Sequence, residues 1–159
     1  DPKTTAQIIE LINNINKVDD VNKVGKVCAG IGMQSHLNDE LGSVDNYKEA
    51  IEKFAAQGYE IQITELDITN NGKIDSTTTE EEKQAIYEAG AKAYGQIMNA
   101  ILEEKAKGAN ITAVVIWGMT DSTSWRSDRS PLLFGTDIAD KKPAFDAVID
   151  AAKNFKASK

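Results

Sequence analysis

Three short apolar runs, set apart by segments of helical periodicity, constrain this chain more than any other feature. They are Val27 to Met33, residues 60–67 and residues 111–117 (Ile-Thr-Ala-Val-Val-Ile-Trp), each too brief for a helix and each read as a buried strand. Helices fill the intervals. Ile8, Ile9, Leu11, Ile12 and Ile15 recur at helical spacing behind a Thr4/Thr5 cap candidate. A second helix, capped by Ser43 or Asp45, carries Tyr47, Ile51 and Phe54 on its core face and ends at Gly58. Thr79 caps a long helix over 80–107, with Glu80, Glu81 and Glu82 in its first turn and Lys105, Lys107 and Gly108 at its close. After a loop at 118–140, Pro143 opens a final helix from Ala144 to about Lys156. Apolar strands alternating with amphipathic helices predict an α/β chain with an all-parallel sheet covered on its faces. Three strands cannot close a barrel, and no G-x-G-x-x-G or G-x-x-x-x-G-K phosphate loop is present.

The 159 residues suit one domain with a sizeable core. The net charge of −7 argues against nucleic acid or an anionic membrane as partner. The lone Cys28 forms no internal disulfide and leaves the compartment open. No apolar run reaches the length of a membrane span, and Asp1-Pro2-Lys3 reads as the middle of a longer protein rather than a signal peptide.

The middle run, Ile61-Gln62-Ile63-Thr64-Glu65-Leu66-Asp67, ends in carboxylates. Strict alternation puts Ile61, Ile63, Glu65 and Asp67 on one face, apolar first and charged last. A carboxylate turned inward is costly unless paired or put to work. The other strands also end in polar or aromatic groups: Gln34, Ser35 and His36 after the first, then Trp117, Asp121, Ser124, Trp125 and Arg126 after the third. In a parallel sheet these ends meet on one rim. His36, the only histidine, can bridge Glu65 and Asp67 through its two nitrogens and orient Glu65 for nucleophilic attack. One histidine with carboxylates is too few ligands for zinc. Trp117 and Trp125 offer flat apolar surfaces for stacking on sugar rings, so carboxylate, histidine and tryptophan together point to glycoside chemistry. A serine hydrolase is disfavoured, since no G-x-S-x-G elbow occurs. Asp67-x-Thr69-x-Asn71-Gly72-x-Ile74-Asp75 imitates the front of a calcium loop, but Thr78 stands where a bidentate glutamate belongs, and an Asn-Gly turn is the simpler reading.

These residues also carry a resemblance. Gly30-Ile31-Gly32-Met33-Gln34-Ser35-His36, Ile63-Thr64-Glu65-Leu66-Asp67 and Trp117-Gly118-x-x-Asp121-x-x-Ser124-Trp125-Arg126 resemble the family-10 glycoside hydrolases, endo-β-1,4-xylanases. Pro131-Leu132-Leu133-Phe134 and Lys142-Pro143-Ala144-Phe145 are similar to that family's closing segment. The resemblance covers essentially the whole chain. It implies an α/β fold that is the C-terminal part of a (β/α)8 TIM barrel, with residues 1–159 supplying the last three βα units and the helix before them. It implies Glu65 as nucleophile, His36 and Asp67 as the pair that orients it, and Gln34, Trp117, Trp125 and Arg126 as substrate-binding residues. It further implies xylan or xylo-oligosaccharide as substrate, a retaining mechanism, secretion and no cofactor.

The sequence departs from the family in one respect that matters. A retaining glycosidase needs a second carboxyl as general acid/base. The family places it in an Asn-Glu pair, and no Asn-Glu dipeptide occurs here. The segment 18–26 is also longer than the family pattern. The chain is therefore expected to work with the N-terminal part of the same barrel and to be inactive without it. A non-catalytic glycan-binding or interaction module is the alternative. An open three-strand sheet is also expected to self-associate through its edges.

Overall fold

A computed structural model describes residues 2–18 and 25–156. Most of the 18–26 segment lies outside them. The described elements are helix α1 (Pro2–Asn16), strands β1 (Gly30–Met33) and β2 (His36–Asn38), helix α2 (Asp45–Ala56), strand β3 (Glu60–Thr69), helix α3 (Glu80–Ala106), strand β4 (Ile111–Ile116) and helix α4 (Pro143–Asn154).

The sheet is all parallel with β3 at its centre: β1 and β2 pair along one edge of β3, and β4 along the other. Among the described residues, β1 and β4 each leave their outer edge without a strand. The first apolar run is shorter than expected, since only Gly30–Met33 is strand, and a second short strand, His36–Asn38, follows the break at Gln34-Ser35. Asn16, at the end of α1, fastens the approach to β1 by exchanging two hydrogen bonds with the Cys28 backbone at 2.8 and 3.1 Å.

Helix ends follow the capping chemistry in part. Thr79 accepts from Glu82 N–H while the Glu82 carboxylate accepts from Thr79 N–H, a complete capping box that starts α3. The helix α1 begins at Pro2, earlier than expected, so Thr4 and Thr5 lie inside it rather than capping it. Pro fits that first turn because its missing N–H would be unpaired there anyway.

The expectation of a sheet covered on its faces does not hold among the described residues. Ile61, Ile63, Leu66 and Ile68 of β3 are wholly buried in one cluster with Ile51 and Phe54 of α2, Tyr94, Ile97 and Ile101 of α3, and Ala144 and Ala151 of α4. Each of those four β3 side chains contributes about 2 kcal/mol by leaving water. The opposite face carries Glu60 and Gln62, both exposed, and Thr112. There Glu60 accepts from Thr112 and Gln62, and Gly30 and Gly32 leave the surface thin. One face is a core and the other is polar and open, as in a piece cut from a barrel.

The strict alternation expected along β3 also fails. From Met33 to His36 the neighbouring strand advances three positions while β3 advances four, from Ile63 to Asp67. Against β4 the pairing likewise slips between Ile63 and Leu66. An extra residue at Thr64-Glu65 therefore shifts the phase, which puts Leu66 and Ile68 on the core face with Ile61 and Ile63. Glu65 and Asp67 then belong to the opposite side, and the isoleucines do not share it.

Candidate functional site

The site forms where the strand ends and the 118–140 loop converge. His36, first residue of β2, sits in register with Asp67. Its Nε2 is 3.1 Å from Glu65 Oε2 and its Nδ1 is 3.1 Å from Asp67 Oδ2. The first contact is a hydrogen bond, whereas at Nδ1 the carboxylate lies off the N–H direction and the contact is electrostatic.

Asp67 is completely buried, yet it is surrounded by donors. Trp125 Nε1 donates to its Oδ2 at 2.8 Å, and Arg126 Nη1 donates to its Oδ1 at 3.3 Å and to the Leu37 carbonyl at 3.3 Å. The Arg126 guanidinium lies 4.6 Å from the centre of the Trp125 ring, and the His36 ring meets the same indole edge-on at 5.0 Å. Asp67 is thus spent inside the site, not in the 69–78 loop, where the Asp75 carboxylate accepts from Thr77 and Thr78. That removes the first ligand of the calcium-like pattern.

The remaining residues singled out from sequence stand close by. The Gln34 carbonyl accepts the Glu65 N–H at 3.0 Å and its side chain is exposed. The Trp117 N–H donates to Leu66 O at 3.0 Å, which places its ring 6.5 Å from that of His36. Both indoles present free surface, with Trp117 45% and Trp125 62% exposed. Glu65, bonded to His36, keeps its side chain 23% exposed, so a bound ring can reach it. Gly118 follows Trp117 at φ +141°, and a Cβ there would press within 2.8 Å of Leu132 Cδ1. The turn behind Trp117 therefore takes glycine.

The loop that delivers Trp125 and Arg126 is held from below by groups the sequence did not mark as partners. Lys142 is buried and donates to Asp121 Oδ2 and to Ser130 O, each at 2.8 Å, with the Tyr87 ring 5.0 Å from its ammonium. Asp121 Oδ1 accepts from Leu132 N–H at 2.8 Å. Burial pushes the Asp121 carboxyl up and the Lys142 amine down from their ordinary values, while each one's charge pulls the other back. Asn70, at the end of β3, donates to Ser130 O at 2.8 Å, and Tyr94 donates to Pro131 O at 2.7 Å. Lys142 and Asn70 look like surface residues in the sequence, and only their places beside the loop reveal the role.

Known proteins resemble this chain in sequence and in fold. The family described as Glycosyl hydrolase family 10 matches residues 3–151. Endo-1,4-beta-xylanase A of Butyrivibrio fibrisolvens is 38% identical over 143 residues, 90% of this chain and 31% of that protein. A thermostable celloxylanase of Thermoclostridium stercorarium is 31% identical over 160 residues, 96% of this chain and 39% of that protein. Among solved structures, xylanase B from Clostridium stercorarium superposes with a TM-score of 0.74 at 28% identity, over 94% of this chain and 43% of that one. An intracellular xylanase from Thermoanaerobacterium saccharolyticum, solved with xylotetraose, superposes at 0.68 and 34% identity, over 91% of this chain and 39% of that one. The chain spans less than half the length of each of these four relatives. By sequence and by fold, this chain belongs to glycosyl hydrolase family 10, as the C-terminal part of its (β/α)8 barrel.

Proposed function

We propose that this chain supplies the nucleophile half of an endo-β-1,4-xylanase active site. The observation that carries the reading is His36 held between Glu65 and Asp67, with Asp67 in turn fixed by Trp125 and Arg126. Glu65 attacks the anomeric carbon of a xylosyl unit, the leaving sugar takes a proton from a general acid, and water then hydrolyses the glycosyl-enzyme. Asp67 and His36 keep Glu65 aimed. Trp117, Trp125 and Gln34 form walls for the reacting sugar and its neighbour, with Arg126 bracing the Trp125 ring. The xylotetraose bound by the Thermoanaerobacterium relative supports the choice of substrate.

The general acid/base stands on the N-terminal part of the barrel, ~5–5.5 Å from Glu65 in the assembled site. Loss of such a group lowers the rate ~10²–10⁴-fold, so the isolated chain is inactive or nearly so. Secretion belongs to the same reading, because the substrate is a polymer. The two exposed indoles favour one alternative, a glycan-binding module without hydrolysis.

The test mixes this chain with a separately made N-terminal part and measures reducing-sugar release from xylan. Activity that appears on mixing and vanishes with Glu65→Gln supports the proposal. Full activity from this chain alone sinks the assignment of the acid/base to another part. Binding of xylo-oligosaccharide by the mixture without hydrolysis favours the binding module.

A further inference from the structure

The strand carrying His36 is broken just before it. Ser35 adopts φ +67°, in the left-handed region that side chains rarely enter. The conformation matters because the two carbonyls at the break are both used: Gln34 O accepts from Glu65 N–H at 3.0 Å and Ser35 O from Asp67 N–H at 3.4 Å. The same two residues therefore receive their backbone partners from the break and their side-chain partner from His36. The break also absorbs the extra residue of β3, which brings His36 level with Asp67.

Ser35 is held from outside the sheet. Its Oγ shares a 2.7 Å hydrogen bond with the Tyr47 hydroxyl on α2 and lies 3.4 Å from Met33 O. Burial pushes the Tyr47 hydroxyl up to about 12, so it keeps its proton.

We propose that Tyr47 is a positioning residue for His36: through its hydrogen bond with Ser35 Oγ, it fixes the left-handed break that sets the imidazole between Glu65 and Asp67. The effect on rate rests on the reading of Glu65 as nucleophile, but the effect on the imidazole does not.

His36 is the only histidine in the chain, so its ring resonances stand alone when this chain, isotope-labelled, is assembled with an unlabelled N-terminal part. Tyr47→Phe keeps the partly buried ring and removes only the hydroxyl. It is expected to move the His36 ring nitrogen resonances and to lower kcat about five- to tenfold at unchanged KM, the effect of one lost neutral hydrogen bond. Ser35→Gly placed in that background is expected to restore both, because glycine holds a positive φ without an anchor. Ser35→Ala, which removes the partner hydroxyl instead, is expected to move the same resonances. Unmoved resonances in Tyr47→Phe overturn the proposal, as does a glycine that rescues neither readout. An inactive wild-type assembly defeats the xylanase reading alone, and the His36 resonances still decide the role of Tyr47.

Discussion

Trp125 Nε1 donates to Asp67 Oδ2 at 2.8 Å, so the indole that presents a stacking face to solvent also holds a fully buried carboxylate. Ring and N–H do separable work. Trp125→Phe keeps an aromatic face beside Arg126 and deprives Asp67 of a donor. It is expected to destabilise the assembled protein by about 1–3 kcal/mol, the cost of an unmet buried acceptor, and to weaken the aim of His36. Chemical denaturation with and without the substitution reads this directly; an unchanged midpoint refutes it.

The Lys142–Asp121 pair holds the loop beneath that indole. Both groups are buried, 3% and 7% exposed, so removing one strands the other. Lys142→Met is expected to cost about 3–5 kcal/mol, and the double variant Lys142→Met/Asp121→Leu less than the sum of the two single changes. A thermodynamic cycle over the four proteins gives the coupling, and strict additivity contradicts the pairing.

Two glycines in α3 respond oppositely to alanine. At Gly95 a new Cβ meets only Ala147 Cβ, at 4.0 Å, so Gly95→Ala is expected to stabilise the helix by about 1 kcal/mol. At Gly90 a Cβ would come within 2.6 Å of Asn70 Oδ1, forcing Asn70 from its bond to Ser130 O. There the propensity gain is outweighed, and Gly90→Ala is expected to lower Tm. A rise in Tm for both shows that Asn70 yields without cost.

Acid weakens the start of α3. Hydrogen bonds from the Thr79 backbone and hydroxyl hold the Glu82 carboxyl below its ordinary value. Folding therefore favours the charged form: this contribution is whole above about pH 4.3, the unfolded value, and is lost as pH falls through the lower folded value. Melting followed by circular dichroism from pH 6 to 3 is expected to show a slope that Glu82→Gln reduces. An identical slope in the variant rules the capping box out as its source.

Much of this was legible in the sequence, because helices and apolar strands advertise themselves by period and the strand ends carry conspicuous residues. His36, Glu65, Asp67, Trp125 and Arg126 do come together. Three things were hidden. Thr64 and Glu65 are both polar, so an extra residue there leaves no mark on the hydrophobic pattern, and alternation counted through it assigns the isoleucines to the wrong face. The break at Ser35 is hidden as well, since serine does not mark a left-handed residue as glycine or asparagine does, and its anchor, Tyr47, reads as one more core position of a helix. The open inner face escaped for a different reason: periodicity shows that a strand is buried, not which side waits for other strands.

The free edges of β1 and β4 impose an arithmetic on assembly. In an all-parallel sheet the two edges are unlike, so one copy can add its β4 to the β1 of the next, head to tail. Each copy contributes three strands across, counting β1 and β2 as one, and eight is not a multiple of three. Copies of this chain alone would therefore not tile an eight-stranded ring, and closing one takes a complement of five strands fitted to those two edges.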